Sequence, residues 1–400
     1  MRRLIFLAIA AALCATPALA QPAPWQPERL TAGWTFTPGF VFGAMWDTNV
    51  AVQNQGNPQI HGGSALLNPR GELDFNGPRT HFNTGYSGAF EQYRTLDALN
   101  RYDQRARLDV EQRQSERLQF NSTASYTSMP TTDRLDVGNG TLPFVDIGSQ
   151  VFDAGGGFKL ALSRRTSLEG QYRFEDIVFD RSQSSINPYQ FLFSGHSHAP
   201  VARLMQQLSS RFSVGAQFQY QHADIGGGSQ TIDIESSTAE ATYKVSSTTT
   251  VSGGGGVSYL RVSQTALSTT GPAFHGGIEH HAGQVTLSAT YQRAFVPAFG
   301  LGGLTANQYV SANAYLPFAN GRYYVSGGVS YSRTSPVQAL GVGYRLDSTW
   351  TDAAAGYQVA RWLRAEGFLA VTHQNSTAQG LIDRTRIGIQ FVTFKPVRIE

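Results

Sequence analysis

Apolar and polar residues alternate strictly along several segments of the chain. In the segment 284–292, apolar residues occupy every second position and every residue between them is polar. The same alternation recurs in 211–221, and in 117–126 with one interruption at Ser122. A period of two predicts β-strands with one apolar face. These segments are about twice as long as the 5–6 residues of an ordinary soluble strand.

Tight-turn signals recur at regular intervals between the strands. They lie near Gly77, Ser115, Arg165, Ser210, Ser247, Gly283, Asn320 and Arg361. Each interval has room for one strand, a longer connection and a returning strand, so counting the turns gives about 18 strands, within roughly 16 to 20. Longer connections are expected at roughly 51–64, 129–149 and 181–195. The pattern therefore predicts an all-β fold built as an antiparallel, up-and-down meander.

The start of the chain indicates export. Arg2 and Arg3 precede an apolar run over 4–15, and Ala18-Leu19-Ala20 forms a small-x-small cleavage site. Beyond this region no apolar run approaches the ~18 residues of a membrane helix, so an exported meander of this length predicts a transmembrane β-barrel in the bacterial outer membrane. We expect a signal peptide over 1–20, a short periplasmic segment over 21–31, the barrel over 32–395 and a periplasmic tail over 396–400.

Charge excludes one class of function. The chain has 31 Lys and Arg against 28 Asp and Glu, and two of the basic residues lie in the predicted signal peptide. A nearly neutral protein lacks the excess of Lys and Arg that nucleic-acid binding needs. The only cysteine, Cys14, also lies in the signal peptide, where Leu13 precedes it instead of the small residue of a lipoprotein.

Charged residues share one face of several predicted strands. Every second residue from Arg101 to Arg113 is charged, and the residues between include Tyr102, Leu108 and Val110. An arginine on lipid at the midplane would cost ~2 to 4 kcal/mol, so this face should point into the barrel. We expect an Arg-rich, mixed-charge lumen. The pore-lining candidates are Arg70, Glu72, Asp74, Arg101, Asp103, Arg105, Arg107, Asp109, Glu111, Arg113, Glu169, Arg173 and Glu175.

Aromatic residues supply a second barrel signal. Tyr and Trp favour the headgroup zones of a membrane, where one side of the ring is wet and the other dry. Six residues near predicted strand ends are expected to form such girdles. They are Trp34, Trp46, Tyr259, Tyr323, Trp350 and Trp362.

Other motifs favour structural roles. The glycine runs 155–157, 226–228 and 253–256 lack the GK[ST] ending of a phosphate-binding loop, so we expect bends or bare backbone beneath aromatic rings. His196 and His198 share a strand face, but no third ligand stands at a telling spacing. We therefore expect no metal site, no cofactor and no enzymatic activity.

The opening strand resembles a known family. Thr37-Pro38-Gly39-Phe40, followed by Trp46-Asp47-Thr48-Asn49-Val50, is similar to the first strand of the β-barrel porin 2 family, whose members are often encoded beside exopolysaccharide genes. The resemblance implies an outer-membrane protein linked to envelope polysaccharide or to passage of small solutes. It brings no catalytic residues to this chain. Unlike many barrels, the chain continues past Phe394, and we expect Pro396 to stop the last strand.

These observations predict a porin-like channel for passive passage of small hydrophilic solutes. Two alternatives stay open, namely an accessory barrel of an exopolysaccharide export system and an outer-membrane hydrolase with a Ser and His near the outer rim. The partners expected of such a protein are outer-membrane lipids and lipopolysaccharide, the barrel assembly machinery, further copies in a homo-oligomer, and polysaccharide export proteins.

Overall fold

The structure is a computed structural model that describes residues 32–94, 96, 99–131, 147–180, 193–265, 267–299, 303–337, 345–377 and 380–399. The predicted signal peptide, the segment 21–31 and Cys14 lie outside the described residues. No helix in the described part of the chain is long and apolar enough to cross a membrane.

Eighteen long antiparallel strands follow one another in sequence, and a short strand comes last. They are β1 (Gly33–Asp47), β2 (Gly62–Asn76), β3 (Thr80–Tyr93), β4 (Arg101–Arg113), β5 (Leu118–Pro130), β6 (Gly148–Ala161), β7 (Thr166–Phe179), β8 (Gly195–Gln207), β9 (Phe212–Ile225), β10 (Gln230–Lys244), β11 (Thr249–Val262), β12 (Leu267–Ala282), β13 (Val285–Ala298), β14 (Gly303–Phe318), β15 (Tyr323–Pro336), β16 (Leu346–Ala360), β17 (Leu363–Ser376), β18 (Gly380–Phe394) and β19 (Val397–Ile399).

Each strand pairs with the next, and β1 pairs with both β2 and β18, so the sheet closes on itself. The structure confirms the predicted barrel and its strand number. Closure leaves no long edge with unpaired backbone groups, which is the condition for crossing a membrane with strands.

The eight predicted tight turns all join consecutive strands at one end of the barrel, and none of them exceeds four residues. The first residue of β1 and the last residue of β18 lie at the same end. We call this the turn end and the opposite end the loop end. In outer-membrane barrels short turns face the periplasm and longer loops face the outside. The predicted long connections are found at 48–61, 131–147 and 180–194.

The outward face carries a belt of large apolar residues. Phe42 is 42% exposed, Ile387 is 55% exposed and Ile389 is 60% exposed, because their strand faces point away from the lumen. Five of the six predicted girdle aromatics are also exposed. Trp350 is an exception at 3% exposure, so its placement in the girdle was wrong. On its strand, β16, Trp350 shares the inward face with Leu346 and Ser348, and all three are buried.

The last long strand ends at Phe394, two residues before Pro396. The ring of Phe394 points into the barrel and packs against Val41 and Val392. After Pro396, the strand β19 pairs with the first residues of β1, from Trp34 to Phe36. The strand β19 therefore extends the pairing between β18 and β1 toward the turn end of the barrel.

Glycines occur in both of the structural roles that the sequence analysis expects, namely at bends and beneath aromatic rings. Gly226, Gly227 and Gly228 all have positive φ angles and form the tight connection between β9 and β10 at the loop end. In β16, a side chain at Gly356 would overlap the ring of Tyr324, so that glycine provides the bare backbone on which an aromatic ring lies.

Candidate functional site: the barrel lumen

The inward face is recognised by register and burial. Along β17 the residues Arg364, Glu366, Thr372 and Gln374 are all buried, while Leu369 between them is exposed on the outside. An 18-stranded barrel is too wide for side chains alone to fill, so its inward face lines an open space wherever loops do not enter. The lumen is therefore the candidate functional site.

One ion pair on the charged wall joins two strands that are not neighbours. Glu72 of β2 lies opposite Gly85 of β3, and Gly85 lies opposite Arg107 of β4. The guanidinium of Arg107 reaches across the glycine and donates a hydrogen bond to the Glu72 carboxylate. Both partners stay accessible, since the Arg107 side chain is 58% exposed. This pair lies on the inward face of β2 and β4.

Nearer the loop end, the same face becomes buried. Arg101 lies 2.6 Å from Glu91 and 3.6 Å from Asp103, and both carboxylates are almost inaccessible. Glu91 also accepts a hydrogen bond from Ser64 at 2.9 Å. The other predicted residues on the inward face of β2 and β4 are Arg70, Asp74, Arg105, Asp109, Glu111 and Arg113.

The remaining predicted residues lie on β7. Glu169 is 2.5 Å from Lys159, and Arg173 donates a hydrogen bond of 2.8 Å to Asp153. Glu175, on the same face, is 2% exposed. The structure thus separates the predicted set into two parts of the wall, one on β2 and β4 and one on β7.

Sequence reasoning missed the charges on β8, β10 and β12. Glu240 is 6% exposed and bonds Arg203 on one side, while the Nε2 atom of His275 lies 3.4 Å away on the other. Neither partner is on an adjacent strand. His275 lies over Gly254 of β11, where a side chain would overlap its ring. None of these residues belongs to a run of charges at alternate positions, since for example Thr238 and Thr242 flank Glu240 on its strand face, so only the register reveals the group.

A further missed group surrounds the barrel closure. Arg384 of β18 donates two hydrogen bonds to Asp47 of β1, at 2.6 and 2.8 Å, and both side chains are almost fully buried. The guanidinium carbon of Arg386 lies 5.5 Å from the centre of the Trp350 ring. The sequence did carry a signal here, because Arg384 and Arg386 are two residues apart and therefore share a strand face.

A polar pocket of about 300 Å³ opens on the wall formed by β5 to β9. Amide and hydroxyl groups line it, together with the charged residues Arg173 and Glu175. Such groups can hydrogen-bond an uncharged, hydroxyl-rich solute from several sides. The amide and hydroxyl side chains of the lining are Asn121, Thr123, Gln171, Ser197, Gln219 and Gln221.

At the loop end the lumen wall is apolar over several strands. Ile225 of β9, Ile232 of β10 and Leu260 of β11 are at most 1% exposed, and Phe299 from a connecting loop packs with them. This differs from a uniformly polar lumen. The physical reason is that loop side chains cover this part of the wall, so apolar residues there are buried against protein.

The first loop also enters the barrel mouth. Val52 packs against Trp350, Ala370 and Ile382, which lie on the inward faces of three strands. Asn49 fixes the loop, since its side-chain amide donates hydrogen bonds to the carbonyls of Gln53 and Asp383 at 2.7 and 2.9 Å. This segment therefore narrows the loop end of the lumen.

The histidine pair singled out in the sequence lies outside the lumen. His196 and His198 are on the outward face of β8, opposite Asp176 and Phe174. The Nδ1 atom of His198 is 2.5 Å from the hydroxyl of Tyr172.

The apolar exterior, charged interior and two unlike ends define the class of the protein as a transmembrane β-barrel of the bacterial outer membrane. No family model matches the chain, and no curated protein matches it. The resemblance of the opening strand to the exopolysaccharide-associated porins therefore stays a prediction.

Solved structures of outer-membrane proteins have a similar shape. OpdO of Pseudomonas aeruginosa is 11% identical with a TM-score of 0.46, covering 90% of this chain and 97% of that one. OccAB4 of Acinetobacter baumannii is 9% identical with a TM-score of 0.46, covering 93% and 100%. OpdK of Pseudomonas aeruginosa, solved with vanillate, is 11% identical with a TM-score of 0.46, covering 90% and 99%. At this level of likeness nothing about solutes is transferred to this chain.

Proposed function

We propose that this protein is a passive channel for small hydrophilic solutes across the outer membrane. The observation that carries the proposal is the closed 18-stranded wall with accessible charged side chains on its inward face. A barrel of this size encloses more space than its side chains can fill. The charged inward face would be costly in any dry interior, so water must reach it.

Fixed charges give the channel its selectivity. Arg107, Lys159 and Arg173 have side chains that are at least half exposed, whereas their carboxylate partners are less accessible. Mobile solutes therefore meet cationic groups first. Rings of charged side chains select by sign in membrane pores. We infer a preference for anionic or hydroxyl-rich solutes. The polar pocket on β5 to β9 would serve as a transient binding site for them on the wall.

Liposome swelling tests this function directly. Vesicles containing the refolded chain should swell in neutral sugars of graded size, with monosaccharides entering faster than longer oligosaccharides. The matched control is the Gln171→Leu, Gln219→Leu variant, which removes two amides from the pocket without changing charge. It should slow sugar entry while leaving chloride conductance in place. Vesicles that do not swell in any sugar would contradict the proposal.

An accessory role in exopolysaccharide export is the second candidate, and it rests on the resemblance at residues 37–50. In the structure, Asp47 of that motif pairs with Arg384 and Asn49 holds the first loop, so both residues have structural tasks. Copurification with export proteins, and loss of polymer secretion on deletion, would favour this role. The hydrolase alternative stays a prediction.

A further inference from the structure

Three arginines lie together on the outward face near the loop end. Arg293 of β13, Arg333 of β15 and Arg345 at the start of β16 form what we call the arginine patch. The register aligns Arg293 with Gln308 of β14, and Gln308 with Arg333. Their side chains point away from the lumen, because the adjacent Gln292 and Thr334 belong to the inward face.

One carboxylate organises the patch. Arg333 donates a hydrogen bond of 2.7 Å to Asp347, and Arg345 donates one of 2.9 Å to the other oxygen of the same carboxylate. The hydroxyl of Tyr331 donates to Asp347 at 2.9 Å. The guanidinium carbon of Arg333 lies 5.7 Å from the centre of the Tyr331 ring. The two arginines are thus held in place rather than free to rotate.

The patch has more cations than anions. Arg333 and Arg345 share the carboxylate of Asp347, and among the described residues no carboxylate pairs with Arg293, so the patch has three guanidinium groups and one aspartate. Strands two apart are separated by about 10 Å, and arginine side chains from β13 and β15 can span much of that gap. Arg333 and Arg345 also remain 41% and 49% exposed. An anion from outside could bridge all three.

The position of the patch indicates what that anion is. Strands of 14 to 16 residues are longer than the 9–11 that cross the hydrocarbon core, so their loop ends reach the headgroup zone. An unpaired outward arginine there extends toward the headgroups. Guanidinium groups match phosphate oxygens in a bidentate geometry. A tyrosine beside them is typical of this zone.

A second charged site on the outward face has the opposite balance of charge. On β9 to β11, Asp233 is bonded by His222 at 2.7 Å and by Arg261 at 3.1 Å, and Asp224 lies 3.7 Å from the same histidine. That site has two carboxylates for one arginine. It offers a matched control at the same end of the barrel, because its outward arginine is already paired within an acidic cluster.

We propose that the arginine patch binds the phosphate groups of a phosphorylated glycolipid in the outer leaflet of the outer membrane. The phosphate lies between Arg293 and the Arg333–Arg345 pair, and the acyl chains lie along the apolar outward face below. This site is on the outside of the wall, so it is independent of the proposed channel.

Binding of diphosphoryl lipid A to the full chain in detergent micelles tests this assignment, read by native mass spectrometry and by fluorescence titration. The variant R293Q/R333Q/R345Q should bind about tenfold more weakly or worse, because each lost charge-assisted contact is substantial. R261Q should bind as the parent does. Heat-modifiable migration on a gel establishes that each variant is folded. The single variant R293Q, which breaks no hydrogen bond or ion pair between described residues, should show part of the loss.

Three results would overturn the proposal. The first is equal lipid A binding by the parent and the triple variant. The second is equal binding of dephosphorylated lipid A or phosphatidylglycerol by the parent. The third is a triple variant that keeps lipid binding but changes oligomeric state, which would assign the patch to contact between copies. Conductance measured on the same samples separates this result from any failure of the channel.

Discussion

Glu240 and His275 face each other across Gly254, at 3.4 Å, although the strand β11 lies between them. Arg107 and Glu72 meet in the same way over Gly85. In both cases charges on strands two apart make contact over a glycine, so the lumen wall is cross-linked over three strands at a time. At Gly254 the contact depends on the glycine as much as on the charges, because a methyl group there would overlap the His275 ring.

Gly254→Ala should destabilise the barrel, by about 1 to 3 kcal/mol as in other overpacked sites, since the added methyl group overlaps the His275 ring. The measurement is the midpoint of urea unfolding, followed by gel migration. Gly85→Ala is the matched control, because its methyl group would stand 3.5 Å from Arg107, an ordinary contact distance. Equal midpoints for the two variants would show that His275 does not depend on the bare backbone.

Replacing Arg105 and Arg107 by Ala should shift ion selectivity toward cations. Both residues lie on the inward face of β4, and Arg107 is the more accessible. The reversal potential in asymmetric salt reports the change. Arg117→Ala, in the turn between β4 and β5, serves as a control outside the strands. An unchanged reversal potential in the double variant would remove both arginines from the conducting path.

Removing one member of the Asp47–Arg384 pair should be costly. Both side chains are almost fully buried, and breaking such a pair leaves an uncompensated charge that costs roughly 3 to 5 kcal/mol. Asp47→Asn and Arg384→Gln should each lower the unfolding midpoint strongly, and the double variant should recover part of the loss. Additive losses in this double-mutant cycle would mean that the two groups are not coupled.

Val52→Asp should release the first loop from the mouth of the barrel. A carboxylate cannot lie against Trp350, Ala370 and Ile382 without losing its water. We expect larger or more variable single-channel conductance. Ile60→Asp changes an exposed residue of the same loop and should leave conductance as it is. Identical recordings from both variants would argue that the loop does not narrow the passage.

The fold could be predicted from the sequence because a β-barrel is specified largely by local sequence patterns. Turn signals near Gly77 or Asn320 and the period-two alternation need only neighbouring residues to be read. The prediction that one face of β4 points inward rests on a local pattern as well, because seven charges at alternate positions cannot face lipid. All of these depend on short-range order along the chain.

Long-range features could not be read in the same way. The Glu240 contacts require the register of four strand pairs, and no local motif marks that carboxylate. Trp350 was assigned to the wrong face because a tryptophan near a strand end fits either side, and its burial depends on distant residues such as Val52 of the first loop and Arg386 of β18. The apolar wall at Ile232 and Leu260 likewise depends on a loop residue, Phe299.

The most direct test of the channel is single-channel conductance of the refolded chain in a planar bilayer with asymmetric salt. Steady conductance steps, with a reversal potential that moves when Arg105 and Arg107 are replaced, are the predicted result. A correctly folded, heat-modifiable barrel that passes no current would contradict the account, and would indicate a closed wall that serves another purpose.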